Sequence, residues 1–139
     1  MALDYYLEIK QYGTKANQIL LHNLIQSEFM LTDHNETNIM TGIGLGVSVF
    51  IDSDDELEPE TEKQIIPSLF VNFRVDKGQL RQGYQLLLSI VQKILDTFDT
   101  DLRLIDESDD NVLLERNSKK ISRFLLKHDL WLTANRPLA

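Results

Sequence analysis

The sequence predicts an α+β fold, with helices laid on one face of an antiparallel sheet. Three observations carry this reading. Leu3, Tyr5, Leu7 and Ile9 alternate with Asp4, Tyr6, Glu8 and Lys10, the period of a half-buried strand. Two later runs, Gly42 to Ile51 and Ser68 to Val75, alternate in the same way. After Asp76, residues Leu80, Tyr84, Leu87, Leu88, Val91, Ile94, Leu95 and Phe98 recur at three- and four-residue spacing, the strongest helical period in the chain.

Taken in order, the first strand ends at Gly13-Thr14. Thr14 is placed to cap a helix of three to four turns carrying Ile19, Leu20, Leu24, Ile25 and Phe29. Thr32 to Asn38 reads as a polar connection. The next strand sets Ile43, Leu45, Val47, Val49 and Ile51 on one face and Gly42, Gly44 and Gly46 on the other. Glycines inside a strand indicate a bulge, a bend or a close backbone approach. A phosphate cradle would need them in a turn that opens a helix. Asp76 is placed to cap the long helix, with Gln79 at the reciprocal capping position. Leu102 and Leu104 mark a fourth strand, Glu107 to Asn111 a turn, and Val112 to Glu115 a strand that pairs back. Ile121 to Leu126 fits either a hairpin strand or a short helix. The order is βαββαβ with a C-terminal hairpin extension. This is a split βαβ, ferredoxin-like topology, with two helices on one face and the other face open or partly covered by the C-terminal segment.

A length of 139 residues suits one domain, residues 1–139, able to bury on the order of two-thirds of its unfolded surface. The 22 acidic against 14 basic residues give a formal net charge of -8. That charge repels nucleic acid and anionic membranes and attracts basic proteins. With no cysteine, disulfides, thiolate chemistry and cysteine zinc sites are excluded. No signal-peptide pattern or membrane-length apolar run is read, so a cytoplasmic location is expected.

No residue constellation predicts catalysis. His22, His34 and His128 are scattered, and no serine has a nucleophile-elbow context. Seven carboxylates, Asp52, Asp54, Asp55, Glu56, Glu58, Glu60 and Glu62, crowd one connection. Their alternation evokes a calcium loop, but Leu57 and Lys63 replace the required glycine and glutamate. Asp106, Glu107, Asp109 and Asp110 form a second cluster. Both clusters are expected to be exposed and solvated, and therefore readable by a basic partner. Trp131, the only tryptophan, is expected either to seal the core or to anchor an interface. No metal and no cofactor are predicted.

Met1-Ala-Leu-Asp-Tyr-Tyr-Leu-Glu-Ile, Gly-Leu-Gly-Val-Ser-Val from Gly44, Phe-Arg-Val-Asp-Lys from Phe73 and Val-Leu-Leu-Glu-Arg from Val112 resemble segments of the swarming-inhibition (Sit) immunity proteins of bacterial polymorphic toxin systems. The late tryptophan fits the same pattern, whereas the long acidic connection and Lys119 to Leu126 depart from it. The resemblance implies a small, non-enzymatic cytoplasmic protein that binds and neutralises a cognate toxin domain. An acidic inhibitor suits a basic nuclease toxin through charge complementarity. The alternatives are a self-assembling or adaptor domain, including a homodimer, and a small-molecule-binding domain.

Overall fold

Alternation along the strands closes one side of a single sheet. The computed structural model describes residues 2–34, 39–41, 46–53 and 68–135. Its strands are β1 (Ala2–Ile9), β2 (Thr32–His34), β3 (Ile39–Thr41), β4 (Val47–Ser53), β5 (Leu69–Asp76), β6 (Leu102–Asp106), β7 (Asn111–Asn117) and β8 (Lys120–Arg123). Its helices are α1 (Lys15–Phe29), α2 (Leu80–Thr97) and α3 (Asp129–Ala134). The strands form one sheet in the order β2-β3-β4-β5-β1-β6-β7-β8, every neighbouring pair antiparallel.

Tyr5, Leu7 and Ile9 of β1 are buried beside Phe73, Val71 and Leu69 of β5, the register that the alternation demands. Val47, Val49 and Ile51 of β4 and Leu102 and Leu104 of β6 extend that face. Helix α2 covers it with Tyr84, Leu87, Ile90, Val91, Ile94 and Leu95. On the opposite face Asp4, Tyr6 and Glu8 remain partly accessible, with Arg74 near Asp4 and Arg103 bonded to Glu8 at 2.6 Å.

Thr14 caps α1 as expected, its hydroxyl accepting the Asn17 amide. The apolar stripe of α1 is rotated from the expected one. Leu21 and Ile25 are buried, with Leu24 and Phe29 packed beside them, while Ile19 and Leu20 stay half exposed. Adjacent apolar residues lie about 100° apart on a helix, so one stripe cannot hold Ile19, Leu20 and Leu21 together. The expected polar connection contains β2, and β3 precedes the glycine segment; strands of three residues are too short to show a period. Gly42 and Gly44 lie outside the described residues.

Gly46 shows why a glycine is placed before β4. Its φ is +73°, and a Cβ there would lie 2.6 Å from the Gln79 carbonyl oxygen. Gly83 of α2 meets the Gly46 carbonyl just as closely, so helix and strand approach backbone to backbone. Asp76 accepts the Gly78 amide and starts a single 3-10 turn, Lys77–Gln79, from which α2 continues. The expected long helix is therefore present, offset by that turn.

The C-terminal extension resolves into both forms left open by the sequence. Lys120–Arg123 is a strand paired with β7, and a 3-10 turn at Leu125–Lys127 leads into α3. Helix α3 returns to the helical side, where Gln85 of α2 donates to the Ala134 carbonyl at 2.9 Å. No helix among the described residues is long and apolar enough to cross a membrane.

Candidate functional site

The alternation of β6 continues past Leu102 and Leu104 onto Asp106, which places a carboxylate on the core face. Asp106 is 8% exposed and pairs in register with Tyr5. This corrects the expectation that the whole 106–110 cluster is solvated. Burial demands partners, and Asp106 has three bonds. Its Oδ1 accepts the Ser108 amide at 3.0 Å and the Ser108 hydroxyl at 2.8 Å. Its Oδ2 lies 3.0 Å from His128 Nε2.

The tautomer of His128 follows from its other nitrogen. The Leu130 amide donates to Nδ1 at 3.0 Å, so Nδ1 offers a lone pair. The proton of the neutral ring then sits on Nε2, which donates to Asp106. His128 thereby caps α3 and ties that helix to the end of β6. Both ring nitrogens are thus engaged within the fold.

Beneath this pair the Tyr5 and Tyr84 hydroxyls bond each other at 2.8 Å, with the rings edge to face at 5.7 Å. The His128 ring stands edge-on to Tyr5 at 6.4 Å. Burial pushes Tyr5 well above the usual tyrosine pKa, and its bond to Tyr84 and the charges of Asp106 and Asp129 add to the rise. Burial also raises Tyr84. Both hydroxyls are therefore protonated at neutral pH and act as a structural bridge from β1 to α2.

The network anchors an exposed acidic turn. Asp109 accepts both the amide and the side-chain amide of Asn111 at 3.1 and 2.9 Å. Asp110 takes the left-handed backbone at φ +57°, which aspartate tolerates better than most residues. Glu107, Asp109 and Asp110 are exposed on this turn. Asp129, also exposed, begins the helix that His128 caps. Trp131 is half-buried and packs on the core, and Leu132 beside it is half exposed.

The described residues that adjoin the two acidic clusters lie at opposite ends of the sheet. Ser53, where β4 ends, is level with Leu69, Ile9, Leu102 and Arg116, whereas Asp106 lies at the other end of β6. Asp52 is exposed near the end of β4. Asp54, Asp55, Glu56, Glu58, Glu60 and Glu62 lie outside the described residues.

Sequence reasoning missed the inward turn of Asp106 and the role of His128. The first was available from the step of two after Leu104. The second was hinted at by the His-Asp start of a short apolar helix, but the pairing spans 22 residues and needed the fold. Among the described residues no group of three or more His, Asp or Glu side chains is arranged to hold a metal. Compared with models of known protein families, with curated proteins and with solved structures, the chain matches none.

Proposed function

We propose that this chain is a cytoplasmic immunity-type protein that binds and neutralises a basic toxin domain. The observation that carries the reading is the acidic turn. Glu107, Asp109 and Asp110 face solvent while Asp106 grips Ser108 and His128 beneath them. A turn whose backbone is pinned loses less freedom on binding, and the shared sign of its carboxylates steers a basic partner toward it. The net charge of -8 extends that field over the molecule. The resemblance of the β1, β4, β5 and β7 segments to Sit immunity proteins points the same way. We read the central strand order β4-β5-β1-β6, connected β1-α1-β4-β5-α2-β6, as a ferredoxin-like core with an extra hairpin at one edge and a C-terminal hairpin at the other.

The connection after β4 carries the other carboxylates and starts from the end of the sheet opposite Asp106. The test is co-expression with a basic toxin domain of the proposed kind. Protection and a one-to-one complex are expected, both weakened by Glu107→Gln, Asp109→Asn and Asp110→Asn together. Protection by the triple variant equal to the wild type would remove the turn from the interface.

A further inference from the structure

Strand β8 is the last strand of the sheet on its side. The Phe124 amide donates to the Leu113 carbonyl at 2.9 Å, which fixes the phase of the β7–β8 ladder. In an antiparallel ladder alternate residues turn their main-chain groups outward. Ile121 and Arg123 therefore present N–H and C=O groups away from β7, along an edge that no other described strand covers. The turn that leads into this strand is pinned. Ser118 and Lys119 both have positive φ, 50° and 72°, the form that suits a two-residue hairpin, and the Ser118 amide donates to Asp101 at 2.9 Å.

Charge is segregated along this edge. Between Glu115 and Asp129 there is no acidic residue, in a chain of net charge -8. Lys119, Lys120, Arg123 and Lys127 are all exposed there. Lysines on an edge also deter edge-to-edge pairing between like copies. Deterrence does not account for the apolar side chains placed among them: Phe124 is 60% exposed and Leu126 49%. An open main-chain row, exposed apolar anchors and a basic rim together match one kind of ligand.

We propose that the β8 edge is a docking site for an extended acidic segment of a partner protein, which adds a strand beside Ile121 and Arg123. Main-chain bonds supply the register, as in other strand-addition complexes. Acidic side chains of the added strand meet Lys120 and Arg123. An apolar side chain covers Phe124. The site uses other residues than the acidic turn and does not depend on the immunity reading.

Backbone amide NMR of the full chain tests this with two capped peptides of equal length, one alternating Glu and Val, the other Lys and Val. The acidic peptide should shift the amides from Lys120 to Leu126, most strongly Ile121 and Arg123, and high salt should reverse the shifts. Lys120→Glu with Arg123→Glu should abolish them, as should Phe124→Ser, with the 107–110 amides and the melting temperature unchanged. Absence of shifts at millimolar acidic peptide, or equal shifts with the basic peptide, would overturn the proposal. So would a dimer of the wild type that the double charge variant dissolves and the acidic peptide cannot compete with; the edge would then belong to a second copy.

Discussion

Asp106 and Arg116 are the two buried charged side chains among the described residues, and they sit at opposite ends of β6. Their solutions to burial differ. Arg116 is satisfied wholly by main chain. Its Nε donates to the Thr100 carbonyl at 2.8 Å, and its Nη1 and Nη2 donate to Leu95 and Phe98 at 2.9 and 2.6 Å. These carbonyls lie at and just past the C-terminal end of α2, where a cation also meets the negative end of the helix dipole. Asp106 is satisfied by a turn amide, a hydroxyl and an imidazole. The arginine closes off a helix end. The aspartate couples a surface turn, a capped helix and the β1–α2 tyrosine bridge. A buried charge bonded only to carbonyls serves stability, whereas one bonded to a surface turn can also organise what a partner meets.

The sharpest way to break this contrast is at the arginine. Arg116→Met should cost about 2–3 kcal/mol, since three carbonyls lose their donor. Urea denaturation at neutral pH should show this loss. Asp106→Ala should cost about 2 kcal/mol, the usual worth of bonds to a charged group. Its mark would be faster amide exchange in α3 and in the 107–110 turn together, a pattern Arg116→Met should not give. In a double-mutant cycle, Asp106→Ala and His128→Ala should couple by roughly 0.5–3 kcal/mol, as contacting pairs do; simple additivity would mean the pair is not a functional unit of the fold.

The Tyr5–Tyr84 bridge gives a smaller, pH-dependent effect. The folded chain holds both protons to higher pH than the unfolded chain does, because burial raises both groups. This contribution is complete below the ordinary tyrosine value of about 10 and declines as pH rises beyond it, where the unfolded chain loses protons first. Tyr5→Phe should cost about 1 kcal/mol at neutral pH and flatten the alkaline decline, as read by thermal melts from neutral to strongly alkaline buffer.

How much of this was legible beforehand follows from periodicity. The inward faces of β1 and β5 and the buried face of α2 were readable because alternation and the 3.6-residue period run for eight residues or more. Strands β2 and β3 were not, because three residues carry no period. The phase of α1 was misjudged because Ile19, Leu20 and Leu21 are all apolar and only packing chooses among them. At the candidate site Glu107, Asp109 and Asp110 were legible as a polar turn. Asp106 was grouped with them by composition, although its position in the strand pointed inward. Its partner His128 and the carbonyls gripped by Arg116 depend on tertiary contacts that no local pattern encodes.

The most direct measurement is the association rate of a basic toxin domain of the proposed kind with the wild type and with the Glu107→Gln, Asp109→Asn, Asp110→Asn variant, at low and near-physiological salt. The variant should fold with stability unchanged within about 0.5 kcal/mol, since exposed charges contribute little. It should bind more slowly at low salt, and the difference should shrink as salt screens the field. Equal association rates at both salt concentrations, with unchanged protection of toxin-bearing cells, would contradict the claim that the Asp106–His128 network holds an acidic turn in place for a basic partner.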